Sequence, residues 1–245
     1  MIKERPEPKT ALGRFLRSVS KKNIFLGFLI DIITVVGAAL ILSLLIKSFL
    51  LRSFFIPSGS MMETLQIDDR IFVNELVPNV IAPERGDVVV FKDPGGWLSS
   101  GQSITKKSSL EQGVDFFLSA FGLIAPDSSQ HLVKRIIGKP GDRVVCCSPS
   151  GKIMINGTPI TEPYIAPNSN PSDKTFDVTV PADSYWVMGD NRGNSEDSRF
   201  HGDLPAKGFV NKKFIVGRAF VVSFPFKHWK WLDNYPNVFK TVPNN

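Results

Sequence analysis

Cysteine and histidine are scarce in this 245-residue chain. There are two cysteines, adjacent at Cys146 and Cys147, and three histidines, His131, His201 and His228. No Cys-x-x-Cys pair and no Cys/His cluster occurs, which excludes the usual zinc spacings. No histidine stands in a recognisable triad motif. No internal repeat is present, which excludes solenoids and propellers. Adjacent cysteines can close a strained disulfide in an oxidising compartment. The simpler expectation is two small strand residues facing opposite sides.

The net charge is +6, and it is confined. Lys3, Arg5, Lys9, Arg14, Arg17, Lys21 and Lys22, offset by Glu4 and Glu7, carry nearly all of it. An apolar run follows directly and no nucleic-acid recognition motif does. The basic tail therefore reads as the cytoplasmic flank of a membrane anchor rather than a nucleic-acid arm. Residues 24–46 are apolar apart from Asp31 and a few small or hydroxyl residues. As a helix they would measure roughly 35 Å at ~1.5 Å per residue, enough for a ~30 Å hydrocarbon core. Asp31 lies near the cytoplasmic end, where its carboxylate can hydrate. The run exceeds a signal-peptide core, and Gly37-Ala38-Ala39 sits inside it rather than after it. An uncleaved anchor is expected, with residues 1–23 cytoplasmic and 47–245 outside.

Beyond Lys47 the pattern becomes short β runs between turn signals. Strands are expected at 70–74, 86–92, 132–137, 143–147, 153–155, 177–180, 184–188 and 214–224. Asn156-Gly157 marks a hairpin. The stretch from Trp97 to His131 interrupts this pattern as an insertion, with a short amphipathic helix expected over 110–124. It could lie on lipid or cap the β core. The segment Phe226-Lys227-His228-Trp229-Lys230-Trp231-Leu232 mixes aromatics and cations as interfacial segments do. A surface loop with a core-facing tryptophan is the alternative.

Chemistry centres on three places. Ser60 lies in Pro57-Ser58-Gly59-Ser60, shortly after the apolar run. A serine hydroxyl needs a base, and a lysine serves only when neutral, which burial favours. On a strand, Lys134 shares a face with Leu132 and Ile136, so a desolvated amine is plausible. A solvent-facing lysine is the commoner case. The turn lets Ser60 N–H and a nearby hydroxyl point at one spot, as an oxyanion hole requires. The run Gly189 to Arg199 is dense in polar groups. It reads either as an ordinary turn-rich loop or as a scaffold for a neutral lysine.

Four segments, taken in order after an N-terminal anchor, resemble the bacterial type I signal peptidases (leader peptidases). They are Ile56-Pro57-Ser58-Gly59-Ser60-Met61 with Thr64-Leu65; Gly86-Asp87-Val88-Val89-Val90-Phe91; Val133-Lys134-Arg135-Ile136-Ile137-Gly138-Lys139-Pro140-Gly141-Asp142; and Gly189-Asp190-Asn191-Arg192 with Asn194-Ser195 and Asp197-Ser198-Arg199. The resemblance implies a mainly β fold of antiparallel sheets on a transmembrane helix, here one. It implies a Ser60/Lys134 dyad and an acyl-enzyme. It implies an oxyanion hole of Ser60 N–H and the Ser58 hydroxyl, and Ser195 orienting Lys134 with Asp190, Asp197 and Arg199 supporting that loop. Ile56, Pro57, Met61, Leu65, Leu132 and Val133 match positions lining shallow substrate pockets, where the peptide lies as an added strand. No metal or organic cofactor is implied. The implied partners are signal-peptide-bearing preproteins and membrane lipid near the translocation machinery, with no nucleic acid, at the outer face of the plasma membrane. Glu63 departs from the family pattern, which often has proline there. Two other readings share the motifs in part: a maturation peptidase for a restricted set such as pilin or conjugation precursors, and a non-catalytic tethered β module that binds peptides.

Overall fold

The computed structural model describes residues 24–49, 51–98, 131–167 and 169–244. The basic tail and the helix expected over 110–124 lie outside these residues. The chain divides into two units, met at residues 48 and 49.

The first unit contributes a helix, α1 (Ile24–Phe49), of 26 residues. Its apolar side chains are exposed on all sides, among them Phe25, Phe28, Ile33, Val35, Leu40 and Ile41. Thr34 donates back to the Ile30 carbonyl at 2.8 Å, so its hydroxyl is satisfied within the helix. Side chains are described without a break over residues 27–43, and no helical stretch of described residues is long and apolar enough to cross a membrane.

The second unit is built from antiparallel strands: β1 (Leu51–Phe55), β2 (Arg70–Asn74), β3 (Val88–Lys92), β4 (His131–Gly138), β5 (Arg143–Cys146), β6 (Ile153–Ile155), β7 (Thr158–Pro159), β8 (Phe176–Thr179), β9 (Ser184–Met188), β10 (Val210–Asn211), β11 (Ile215–Phe224) and β12 (Lys230–Trp231). One sheet runs β1-β2-β11-β3-β4-β9-β10, with β12 added to β11; a second runs β7-β6-β5-β8. The mainly antiparallel β expectation holds. The strands absent from the sequence reading are β1, β7, β10 and β12.

Two sheets of this size bury apolar residues on several faces. β3 is covered on both sides. Val88 and Val90 enter a core with Phe54, Ile56, Met61 and Leu65, while Val89 and Phe91 enter another with Trp97, Ile136, Tyr185 and Val187. That explains its unbroken apolar run, since alternation appears only where one face is wet. The smaller sheet packs a third core around Ile153, Ile155, Tyr164 and Trp186. Asn156 (φ 50°) and Gly157 (φ 79°) both take positive φ, as a two-residue primed hairpin turn demands.

One expectation and one alternative reading need correction. Cys146 and Cys147 are joined as a disulfide, not separate thiols on opposite faces. The tryptophans of the C-terminal segment do not face the core: Trp229 and Trp231 are both exposed, because β12 adds to the sheet by backbone pairing with β11. The adjoining Leu232 packs onto the core instead.

Strand β4 is paired unevenly along its length. Residues 131–135 pair with β3, but pairing with β9 begins only at Arg135. The other edge of 131–134 meets no strand among the described residues.

Candidate active site

Ser60 is carried by a single 3-10 turn, Gly59–Met61, entered from an extended Ser58. Pro57 has no N–H to lose, and Met61 plugs into the core at 1% exposure, so the turn is anchored directly after the serine. Leu65 N–H donates to the Met61 carbonyl at 2.7 Å. From across the molecule, the Asn191 side chain donates to the Gly59 carbonyl at 2.9 Å, and its backbone N–H donates to the Ser60 carbonyl at 3.1 Å. Asn191 therefore fixes the turn on the side away from its own chain. Glu63, two residues beyond this turn, has φ 81°, a conformation that a proline ring cannot take. Glu63→Gly should raise the stability of the fold by about 1 kcal/mol, checked by denaturant unfolding.

Lys134 lies on β4 opposite Val89 of β3. It is 3% exposed. Its Nζ donates to Ser60 Oγ at 2.7 Å. Burial pulls its proton affinity down from the ordinary lysine value to about 8, against the opposing attraction of Asp197 and Asp190. The parity argument that placed Lys134 with Leu132 and Ile136 is met by packing, since both neighbours join the same core. The Ser58 hydroxyl donates to Ser60 Oγ at 3.5 Å.

The histidines have other roles. His201 Nδ1 bonds the Asp197 carbonyl at 2.8 Å, and its ring stacks on Trp97 at 4.3 Å. His228 Nδ1 lies 2.7 Å from Asp69 Oδ1. His131 packs its ring against Phe54 at 5.1 Å.

A cleft of about 90 Å³ opens over the serine and lysine, lined by Ile56, Pro57, Ser58, Ser60, Met61, Leu98, His131, Leu132, Val133 and Lys134. Five of the six anticipated lining residues are among them. Leu65 is not: it is 0% exposed in the core beneath Met61. Leu98 and His131 escape the sequence reading. His131 ends the insertion and Leu98 follows its first residue, Trp97, and that position is the only signal available.

The polar run is not an ordinary surface loop. Asp190, Asp197 and Ser198 are all 0% exposed. Asp197 accepts from Gly189 N–H at 2.9 Å and from Arg199 Nε and Nη2, both at 2.8 Å. Asp190 takes Arg135 Nε at 2.9 Å and Nη2 at 2.7 Å, and also the Thr64 hydroxyl. The Arg135 guanidinium lies over the Tyr164 ring at 4.3 Å and donates to the Gly86 carbonyl at 2.6 Å. Ser195 is buried beside Gly189, and its hydroxyl has no hydrogen-bond partner among the described residues. The structure therefore does not join Ser195 to Lys134.

Arg135, Asn191, Thr64 and Arg192 stand in the motif segments without a role assigned from sequence, and Glu162 is missed altogether. Arg192 grips Glu162 at 2.5 and 2.8 Å and donates to the Gly189 carbonyl at 3.0 Å. Burial works against the Arg192 charge, and the Glu162 carboxylate more than offsets it. Arg192→Met would leave Glu162 buried without its cation. A loss of about 3–5 kcal/mol is expected, read from thermal or denaturant unfolding.

A serine hydroxyl bonded to a buried, readily neutral amine, under an apolar cleft, is an arrangement that could serve as nucleophile and base without histidine. Residues 29–224 match the family described as signal peptidase, peptidase S26. The chain belongs to that family. A probable signal peptidase I of Mycobacterium leprae (strain TN) is 36% identical over 209 residues, covering 74% of this chain and 71% of that protein. The signal peptidase I of Leptolyngbya laminosa is 32% identical over 90% of each chain. Signal peptidase I T of Bacillus subtilis (strain 168) is 32% identical over 78% of this chain and 83% of that one. A crystal structure of a signal peptidase I from Enterococcus faecalis V583 is 25% identical, covering 56% of this chain and 95% of that chain, with a TM-score of 0.34. That likeness in shape is too slight to bear on the fold. Family membership makes the chain a peptidase, a hydrolase of the signal peptidase type.

Proposed function

We propose that this peptidase removes signal peptides from exported preproteins at the outer face of the plasma membrane, with Ser60 as nucleophile and Lys134 as general base. The observation that carries the reading is the 2.7 Å hydrogen bond from a 3%-exposed lysine amine to a serine hydroxyl.

The substrate lies extended along the edge of β4 over residues 131–134, which pairs with no strand among the described residues, and presents small side chains to the cleft. Ser60 Oγ attacks the scissile carbonyl while neutral Lys134 takes its proton. The tetrahedral oxyanion is met by Ser60 N–H and the Ser58 hydroxyl, which turns away from Ser60 Oγ to reach it. Lys134 then gives the proton to the leaving amine, leaving an acyl-enzyme on Ser60. A water deprotonated by Lys134 attacks the ester, and Lys134 returns that proton to Ser60 Oγ as the ester bond breaks, releasing the signal peptide with a free carboxylate. Ser195 is assigned to hold the lysine after a rotation of its hydroxyl. Asp190, Asp197 and Arg199 keep that loop in place.

Two features support the location. At 26 residues, α1 is about 39 Å long at ~1.5 Å per residue, and apolar groups face outward all round, as on a lipid-facing helix. We assign it as a single span with the basic tail cytoplasmic. In the second unit Phe224, Phe226, Trp229 and Trp231 are exposed beside Lys227 and Lys230, a composition that suits lipid headgroups.

Incubating detergent-solubilised protein with several unrelated preproteins tests the reading, with product masses identifying the cleaved bond. Wild type is expected to cut each one once, after the signal segment, and Ser60→Ala to cut none. Cleavage of pilin-type precursors alone would point to a restricted maturation enzyme, and peptide binding without cleavage to a non-catalytic module. The pH dependence follows from Lys134. Protonation removes the base, so kcat/KM should fall tenfold per unit as pH drops below about 8.

A further inference from the structure

A buried amine is neutral at working pH only if its surroundings are not themselves negative. Burial disfavours the ammonium form, and a neighbouring carboxylate favours it. Two carboxylates act on Lys134 in that second sense, Asp197 and Asp190, and neither touches water. Left bare, either would favour the ammonium form more strongly.

Neither is bare. Asp197 is forked onto Arg199 and Asp190 onto Arg135, and all four side chains are 0% exposed. The two cations stand one residue from Lys134 in sequence, at Arg135, and two residues beyond Asp197, at Arg199. Arg199 opposes the ammonium form directly. Its Nη1 is buried with no hydrogen-bond partner among the described residues. A guanidinium that leaves a buried donor unpaired is costly as a hydrogen-bonding group, so its position needs another explanation, and charge supplies one. The remaining charged groups add little. Glu196 is exposed, and its field is screened by water. Glu162 is closed on Arg192. On the strand facing Lys134 stands Val89, and the serine turn offers only hydroxyls, with Glu63 exposed.

We propose that Arg199 and Arg135 are positioning residues whose task is to offset the Asp197 and Asp190 charges, so that the negative field at the catalytic amine is weakened. The proposal rests on Lys134 acting as the general base. It treats the two ion pairs as electrical shielding rather than only as braces for a loop.

The test is the acid limb of kcat/KM in Arg199→Met, Asp197→Asn and the double variant, each checked for folding by circular dichroism and thermal unfolding. Arg199→Met exposes the amine to a bare carboxylate and should move the limb to higher pH by about one unit or more, a tenfold loss at fixed pH below the limb. Asp197→Asn leaves an unbalanced cation and should move the limb to lower pH. The double variant should return close to wild type. Opposite shifts with mutual cancellation are not produced by loss of packing, which lowers the plateau and leaves the limb in place. Should Arg199→Met fail to fold, Asp197→Asn alone still decides by the sign of its shift. Limbs that coincide with wild type in folded variants overturn the proposal and leave the dyad standing. A wild-type profile with no limb, or full activity in Lys134→Met, overturns the dyad itself.

Discussion

Lys134→Met is expected to lower the rate of preprotein cleavage by about 10³–10⁴-fold, the usual scale for removing a positioned general base, while making the protein more stable. Both effects have one origin. The amine is held at 3% exposure, and burial lowers its proton affinity from the ordinary value of 10.5 to about 8. The unfolded chain binds this proton more tightly than the folded one. Stability therefore rises with pH between about 8 and 10.5, where the unfolded chain keeps a proton that the folded chain has shed. Below about 8 the full penalty applies, about 3 kcal/mol. Methionine has similar length and no charge, so it removes the penalty and fills the space. Denaturant unfolding of the variant at pH 7 should show the gain, and the stability difference from wild type should vanish above pH 10.5. A residue that stabilised the fold would behave in the opposite way.

The second large effect is expected at Gly189. A Cβ there would lie 2.2 Å from Ser195 Oγ, 2.4 Å from the Ser60 carbonyl oxygen and 2.6 Å from Ser195 Cβ. The serine side chain could rotate, but the Ser60 carbonyl is backbone, and it is held by Asn191 N–H at 3.1 Å. Gly189→Ala therefore pushes the nucleophile's own peptide unit away from β9. A displacement on the order of 1 Å in a reacting group can cost about 10²-fold in rate, and overpacking of this kind costs about 1–3 kcal/mol of stability. Both are expected here, with the loss falling on kcat more than on KM because the apolar cleft is lined by other residues. Steady-state kinetics on a peptide spanning a cleavage site would check the division. Gly193 makes a control in the same loop, because an added Cβ there meets nothing within 4 Å; Gly193→Ala should retain most activity.

Much of the site is legible in the sequence because two simple rules apply. Alternation on a strand puts Lys134 on the face of Leu132 and Ile136, and those two residues do pack into one core with Val89, which stands opposite Lys134. Proline before Ser-Gly-Ser marks a turn, and Ser60 sits in one. The strand expectations succeed for the same reason: β2, β5, β6 and β9 are short apolar or alternating runs bounded by turn residues.

The features that escape the sequence depend on distant partners. Arg135 follows Lys134 and reads as one more cation, yet it is 0% exposed because Asp190, 55 residues later, closes on it. Nothing local marks that pairing. Asn191 looks like part of a polar loop, and its value comes from two carbonyls more than 130 residues away. β1 reads as a connection after the apolar run, since its residues Leu51-Arg52-Ser53-Phe54-Phe55 bury only Phe54; pairing with β2 makes it a strand. β12 has two exposed residues and exists only because β11 offers its edge. Motif position assigns Leu65 to the cleft, and core packing beneath Met61 takes it instead.

In the proposed mechanism catalysis turns on the protonation of a single amine. Its most direct test is isotope-edited NMR titration of lysine Cε and Nζ signals in the folded protein, with Lys134 assigned by its absence from Lys134→Met. The dyad predicts one lysine losing its proton with a midpoint of about pH 8, in step with the rise of kcat/KM. A Lys134 signal that stays protonated up to the ordinary lysine range while cleavage proceeds at neutral pH would contradict it.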